Sequence, residues 1–401
     1  MPKETAAETS SFPLAGLRVV GFEQAVAAPL CTRHLADLGA DVVKIERRGE
    51  GDFARAYDSV INGESTWFTW LNRGKRSLSL DLKHAKGIEV ANRLVERADV
   101  VVQNFAPGAF DRLGLDVATL HAKYPKLIVC SVTGYGEDGP YRDRRAYDLL
   151  LQAETGVVSV TGTAEEAAKV GVSVVDLSSG LYAFSSILAA LYRRSVTGEG
   201  AAIRVSLFDS IMEWMSPLSL MATHGPKPQR AGARHASIVP YGPYTAAAGR
   251  QVVIAIQNER EWTRLCSDVF DRPELATDER FKNNELRLRN RGELEPLIDE
   301  YLSQLSVEEA EQRFERASIP YSRLNDVSEV LRHPQVLARD RLINIAAGGG
   351  TVDVLRSPFN IEGVVEQPAP VPSVGQHNAE VLGELGYGEA EIEALAREGA
   401  V

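Results

Sequence analysis

Asp176 opens the clearest long helical pattern in the chain. The spacing predicts a helix over 176–194, with Leu177, Leu181, Phe184, Ile187, Leu188 and Leu191 forming its apolar face. An aspartate at the head of a helix is ordinarily an N-cap. The same place suits a nucleophilic carboxylate, because a helix N-terminus favours the ionised form and its N–H groups can stabilise a nearby oxyanion. Tyr147 and Asp148 open a second helical stretch, where a cap or an exposed turn is the plainer reading.

A second set of residues lies at predicted strand ends. Arg47 and Arg48 follow a strand over 41–46, Lys83 follows one ending at Leu82, and Asn104 follows one over 100–103. Ligands of open parallel sheets sit beyond the carboxyl ends of the strands, where cations would hold phosphates. The alternative is that these are solvated loop residues. Gly134-Tyr135-Gly136-Glu137-Asp138-Gly139 has GxGxxG spacing, but Pro140 and Asp143 follow it instead of an apolar helix, so it reads as a loop. There is no GxxxxGK[ST], HExxH or GxSxG, and the seven histidines show no metal spacing.

These residues must be positioned by an alternating series of elements. Strands are expected at 17–22, 41–46, 76–82, 100–103, 127–132 and 203–207, with helices at 29–38, 85–98 and 115–124 between them. Strand, helix, strand at this rhythm implies parallel pairing through crossover helices, an open α/β sheet. One Met- and Trp-bearing helix is expected from Asp209 to Met221, followed by a linker-like stretch at 226–234. A second region begins there, with a hairpin over 241–256 and charged helices from Glu261 to about Ala317. From about Leu324 the chain reads as returning to the first unit, with Gly348–Gly350 as a turn.

Composition narrows the function classes. The 401 residues carry 44 Lys+Arg against 55 Asp+Glu, a net charge of −11, which argues against a general nucleic-acid binder. Cys31, Cys130 and Cys266 fit neither a disulfide framework nor a CxxC metal site, and a reducing cytoplasm is the simplest setting. The polar start lacks the apolar core of a secretion signal, and no apolar run approaches the ~18 residues of a membrane span.

An ordered set of short motifs is more specific. It runs from Leu14-Ala15-Gly16-Leu17-Arg18-Val19-Val20 through Ala28-Pro29 to Leu38-Gly39-Ala40-Asp41-Val42-Val43-Lys44-Ile45-Glu46. It continues with Asn72-Arg73-Gly74-Lys75-Arg76-Ser77, Leu80-Asp81, Asn104-Phe105, Pro107-Gly108, Arg112-Leu113-Gly114, Tyr135-Gly136, Gly139-Pro140 and Ala146-Tyr147-Asp148. Over roughly 14–388 the chain resembles the class III coenzyme A transferases, the formyl-CoA and carnitine CoA-transferase group. The resemblance implies a catalytic carboxylate at Asp176. It implies coenzyme A contacts at Val26, Ala27, Arg47, Leu80, Lys83, Asn104, Phe105, Ala106 and Arg112, with Arg145, Tyr147 and Asp148 at the thioester end. It also implies an α/β fold with a large Rossmann-like domain (1–222 and a returning segment 326–401), a smaller α+β domain (223–325) and an interlocked homodimer. The coenzyme A thioester is then a substrate, with no tightly bound cofactor and no metal.

One departure from that group refines the expectation. The run of consecutive glycines that closes over the carboxylate in the best-known member is missing between Pro226 and Tyr244. Gly232-Ala233-Arg234-His235-Ala236-Ser237-Ile238, Pro240-Tyr241-Gly242-Pro243 and Gln257-Asn258-Glu259-Arg260-Glu261-Trp262 resemble instead the subgroup acting on itaconate, mesaconate and related C4–C5 dicarboxylates. Arg234 and His235, with Arg145 as a third, are candidates for the distal carboxylate; an exposed basic linker is the alternative for the first two. A racemase branch of the same fold places a histidine immediately before the aspartate where Tyr147 stands, and a tyrosine with a pKa near 10 is a poor proton shuttle. The expected activity is transfer of coenzyme A from an acyl-CoA such as succinyl-CoA to a dicarboxylate such as itaconate, mesaconate or citramalate. Aspartyl anhydride and aspartyl-CoA thioester intermediates would carry it. A catalytically inactive CoA-binding relative is the non-enzymatic alternative.

Overall fold

The computed structural model describes residues 12–401; the polar start read above for a secretion signal lies outside them. The chain forms two compact units. The first takes residues through Thr155, Gly171–Ser216 and Ala338–Val401, and the second Gly156–Val170 and Pro217–Leu337. These divisions differ from boundaries at 222/223 and 325/326, most of all in the stretch 156–170. That stretch is tied to the 226–234 segment: Gly232 N–H donates to the Gly162 carbonyl, and Arg230 Nε–H to that of Thr163 at 2.7 Å. No periodicity in either segment signals such a long-range tie.

In the first unit, β1 (Arg18–Phe22), α1 (Ala27–Asp37), β2 (Asp41–Arg47), α2 (Thr66–Asn72), β3 (Arg76–Leu80), α3 (Ala85–Glu96), β4 (Val100–Gln103), α4 (Val117–Lys123), β5 (Ile128–Thr133) and α5 (Asp148–Glu154) follow in order. The short α6 (Val157–Val160) belongs to the second unit. The chain then returns as α7 (Val174–Thr197), β6 (Ala201–Ser206) and α8 (Leu207–Trp214). The six strands are all parallel, in the order β3-β2-β1-β4-β5-β6. The expected α/β sheet is therefore present. Covering both faces explains why β4 and β5 read as nearly unbroken apolar runs. The C-terminal segment closes one face: Val381, Leu382, Leu395 and Val401 pack with Phe22, Ile45, Leu78 and Val101. Each such buried aliphatic contributes on the order of 1.5–3 kcal/mol. Strand order reverses between β1 and β4, and the gap beyond their carboxyl ends is where this topology opens a binding crevice.

Two expected helices differ in the structure. The helix expected over 209–221 is two, α8 and Ser216–His224, with Pro217 in the first turn of the second, where a missing N–H is harmless. Helix α7 begins at Val174, so Asp176 is its third residue and not its N-cap. By length and composition α7 is long and apolar enough to cross a membrane, although no such run is expected from the sequence. Its buried stripe of Val175, Ala183, Phe184, Ile187 and Ala190 packs in the first unit, which is the position of a core helix.

The second unit holds an antiparallel sheet, β7 (Tyr241–Thr245), β8 (Gln251–Ala255) and β9 (Tyr321–Arg323), over a core that includes Trp262, Phe281 and Phe314. The β7–β8 hairpin is the one expected; three-residue β9 is too short to leave a pattern.

Gly180 sets how closely α7 approaches α1. A Cβ at that position would stand 2.7 Å from the Ala27 carbonyl oxygen and 3.0 Å from Leu30 Cδ2. Gly180→Ala is expected to destabilise the fold by about 1–3 kcal/mol, the usual cost of overpacking, read as a lower Tm. An unchanged Tm would mean that the two helices are free to part.

Candidate active site

A cavity of roughly 370 Å³ opens beyond the carboxyl ends of β1, β4 and β5 in the first unit. Gln24–Ala27 border it after β1, Asn104–Pro107 after β4, and Val132–Gly134 at the end of β5. Phe53, Tyr57, Arg144–Tyr147 and Asp176 complete the wall used below. Of the residues anticipated from the sequence, Val26, Ala27, Asn104, Phe105, Ala106, Arg145, Tyr147 and Asp176 meet at this cavity. Five others stand elsewhere. Arg47 is exposed and paired with Glu50 at 2.9 Å, Lys83 and Arg112 are exposed, and Leu80 is buried in the core at the end of β3. Asp148 does not border the cavity but caps the helix that carries Asp176.

That cap governs the electrostatics. Asp148 Oδ1 accepts the Val175 N–H at 2.8 Å and the Asp176 N–H at 3.3 Å, and its Oδ2 accepts from Gln152 Nε2 at 2.6 Å. The other two N–H groups of the first turn of α7 are also used: Val174 donates to Val172 O at 2.8 Å and Leu177 to Ser173 O at 2.9 Å. The amides expected to serve an oxyanion are therefore occupied. The Asp176 carboxyl is pushed up to about 7, by burial first and by the Asp148 charge second. A carboxyl titrating there is partly protonated at neutral pH and ionises readily just above it.

Open donors come instead from α1. Its N-cap Val26 makes no side-chain cap, Pro29 has no N–H to give, and the N–H groups of Val26, Ala27 and Ala28 meet no acceptor among the described residues. Val26 and Ala27 border the cavity, so an uncapped positive helix end opens into the space that Asp176 borders. The preceding loop is pinned. Asn104 Oδ1 accepts the Gln24 N–H at 2.9 Å, and Asn104 Nδ2–H donates to Gln24 O at 2.8 Å. The side chain of Asn104 is thus a staple of the loop.

Phe53 and Tyr57 were not singled out from the sequence. They stand at either end of the short 3₁₀ turn Phe53–Ala56, which carries no amphipathic period, and their rings lie 5.9 Å apart. Burial, then Asp52 and Asp176, push the Tyr57 hydroxyl up to about 12, so it stays a neutral donor.

The cations offered for a distal carboxylate part company. Arg234 lies in the second unit, bound to Glu295 at 2.7 Å and Asp299 at 3.0 Å over the Tyr244 ring. His235 is exposed, stacks on Tyr241 at 5.1 Å, and its Nδ1 accepts the Ser237 N–H. Arg234 is neutralised by two carboxylates that the folded helix at 291–303 brings to it. Arg145 is exposed at the cavity with no ion pair or hydrogen bond among the described residues, whereas Arg144 beside it pairs with Glu154 at 3.0 Å.

The arrangement offers one ionisable carboxylate, open amide donors, a neutral phenol and a free guanidinium. The chain as a whole is similar to known proteins. The family model described as CoA-transferase family III matches residues 14–378. A human succinyl-CoA:glutarate CoA-transferase is 32% identical, over 97% of this chain and 90% of that protein. The acetyl-CoA:oxalate CoA-transferase of Acetobacter aceti is 34% identical, over 97% of this chain and all of that protein. The crystal structure of a CAIB/BAIF family protein from Brucella suis superimposes with a TM-score of 0.81 at 35% identity, covering 93% of this chain and 99% of that one.

The raised carboxyl has a consequence for stability. The folded protein holds the Asp176 proton more tightly than the unfolded chain, whose aspartate ionises near 3.8. Stability is therefore lost as pH rises from about 4 through about 7, by at most ~4 kcal/mol. Asp176→Asn, which cannot ionise, is expected to melt higher than the parent at pH 8, with the gap closing below pH 4. Equal Tm values at pH 8 would contradict the raised pKa.

Proposed function

The chain belongs to CoA-transferase family III, and from that premise we propose that it moves coenzyme A from succinyl-CoA, or a similar dicarboxyl-CoA, to a second C4–C5 dicarboxylate. The observation that carries this reading is Asp176. Its carboxylate accepts no hydrogen bond among the described residues, borders a cavity at the sheet's switch point, and titrates where it can be both nucleophile and leaving group. Both relatives described above are named for a dicarboxylate acceptor, glutarate in one and oxalate in the other.

In this reading the Asp176 carboxylate attacks the thioester carbonyl of the donor, forming a mixed anhydride and releasing the CoA thiolate. The thiolate attacks the aspartyl carbonyl, releasing the donor acid and leaving an aspartyl-CoA thioester. The acceptor carboxylate attacks that thioester, giving a second anhydride and thiolate, and the thiolate takes the acyl group from the anhydride to regenerate Asp176. Each step develops an oxyanion, and the open amides of Val26 and Ala27, with the Tyr57 hydroxyl, are the donors assigned to it. Phe105 and Ala106 border the path of the pantetheine arm, and the exposed cations Arg47, Lys83 and Arg112 serve the phosphates. Arg145 takes the distal carboxylate. An interlocked homodimer in a reducing cytoplasm completes the proposal, the latter in keeping with three buried free thiols.

With succinyl-CoA as donor, a panel of glutarate, itaconate, mesaconate, citramalate, malate, oxalate and carnitine is expected to show fastest transfer to the four- and five-carbon dicarboxylates. Asp176→Ala is expected to abolish transfer while leaving CoA binding intact. Arg145→Ala is expected to raise KM for the dicarboxylate about tenfold or more, the worth of one charged hydrogen bond. Preference for carnitine, or an unaltered KM in the arginine variant, would overturn the substrate assignment.

The nucleophile must be ionised, so kcat/KM is expected to rise with pH and level off above about 7. Asp148→Asn removes the neighbouring charge while keeping an acceptor for the cap, and is expected to move that limb to lower pH. An unmoved limb would show that another group controls it.

A further inference from the structure

Behind the β1–α1 loop lies a buried carboxylate that the reaction scheme does not use. Asp52 is 2% exposed, and both its oxygens are engaged. Oδ1 accepts the Ala25 N–H at 3.1 Å and the Ala54 N–H at 2.9 Å, while Oδ2 accepts from Lys44 Nζ at 2.8 Å. Its own N–H donates to Glu46 Oε2 at 2.9 Å, so the side chain is held at its base as well. Lys44 is itself wholly buried, and donates a second hydrogen bond to the Glu23 carbonyl at 3.2 Å.

What this carboxylate holds is unusual. Ala25 has φ = +62°, the left-handed region that side-chain-bearing residues rarely adopt. It is followed directly by Val26 and Ala27, whose N–H groups are the open ones at the cavity. Rotation about the N–Cα bond of Ala25 redirects every peptide after it, starting with the Val26 amide. The strained conformation and the direction of the donors are therefore one geometrical fact. The same Oδ1 caps the turn Phe53–Ala56, whose ends carry Phe53 and Tyr57 of the cavity wall.

We propose that Asp52 is a positioning residue for the transfer reaction, holding Ala25 left-handed so that the first amides of α1 point at the oxyanion formed on Asp176. The proposal rests on the reaction assigned above. Asp52 touches neither substrate nor Asp176; it acts through the loop. Asn104 fixes Gln24, one residue earlier, and cannot hold the φ of Ala25 by itself. A role confined to stability would be satisfied by any residue that neutralises Lys44.

The test separates these roles. Asp52→Asn keeps an oxygen for both amides and loses the charge opposite Lys44. It is expected to melt lower but to retain kcat within about threefold per folded molecule. Asp52→Ala loses the amide acceptor, and its kcat is expected to fall about 100-fold or more, in the range seen when one oxyanion donor is removed, with little change in KM for succinyl-CoA. Ala25→Gly added to Asp52→Ala is expected to recover about tenfold of that loss, because glycine adopts positive φ without strain. Since Asp52→Ala leaves Lys44 with fewer buried anions, the same series is also made with Lys44→Met, which removes the unpaired charge. Equal kcat losses in the Asn and Ala variants, no recovery with Ala25→Gly, or a normal kcat in Asp52→Ala would each overturn the proposal. Asp176→Ala is run beside them: transfer by that variant would overturn the reaction scheme itself, whatever the Asp52 series shows.

Discussion

A carboxylate that accepts hydrogen bonds from the first amides of a helix normally quiets that end of the helix. Here the quieted helix carries Asp176, the aspartate proposed as the nucleophile. Asp148 takes the N–H groups of Val175 and Asp176, and its negative charge then stands beside the Asp176 carboxyl. Two effects follow from one contact. The helix end can no longer stabilise an anion on Asp176, and the neighbouring charge adds to burial in opposing ionisation. A carboxylate of ordinary acidity would be ionised at neutral pH but well solvated and weakly basic; one raised to about 7 still ionises near neutrality and is the stronger nucleophile. The donors for the proposed oxyanion must come from another place, and the uncapped start of α1 offers open amides.

Keeping that end of α1 open and in register requires a rigid support, which the protein builds from buried charge. Glu23 is fully buried between Lys75 at 2.7 Å and Lys44 at 3.5 Å, and Thr32 donates to it at 2.6 Å. Burial alone would raise the Glu23 carboxyl, but the two lysines and these hydrogen bonds outweigh it and hold it below the usual range. Glu46, Asp52 and Arg55 extend the cluster, so that three carboxylates face three cations and none is left uncompensated. Removing any single partner would leave a buried charge exposed to the full desolvation cost, which is why such a cluster specifies one loop conformation. Gly180 then lets α7 come close enough to α1 for Asp176 and the open amides to border one cavity.

Much of this was legible in the sequence. The strands at 41–46 and 100–103 and the β7–β8 hairpin carry strong local patterns, and the parallel sheet follows from their rhythm. Asp176 was visible because a long apolar face makes its helix conspicuous; its helix position was off by two residues, since Ser173 offers no capping side chain and the helix starts at Val174. Contacts that no local pattern signals are long-range ones. Asp148 is a cap for a helix 27 residues away, Arg234 meets carboxylates more than 60 residues on, and Asn104 staples a loop 80 residues back. Asp52 was not singled out either; only the fold places Lys44 and Ala25 against its two oxygens. Local periodicity reports elements and their buried faces; it carries no record of which side chain closes which distant backbone group.

The account turns on covalent attachment to a single oxygen. The most direct measurement is peptide mapping by mass spectrometry after incubation with succinyl-CoA and trapping with hydroxylamine. The account predicts a hydroxamate on the peptide containing Asp176, absent when succinyl-CoA is omitted and absent from Asp176→Asn. A hydroxamate on a different residue, or none under conditions where coenzyme A is being transferred, would contradict it.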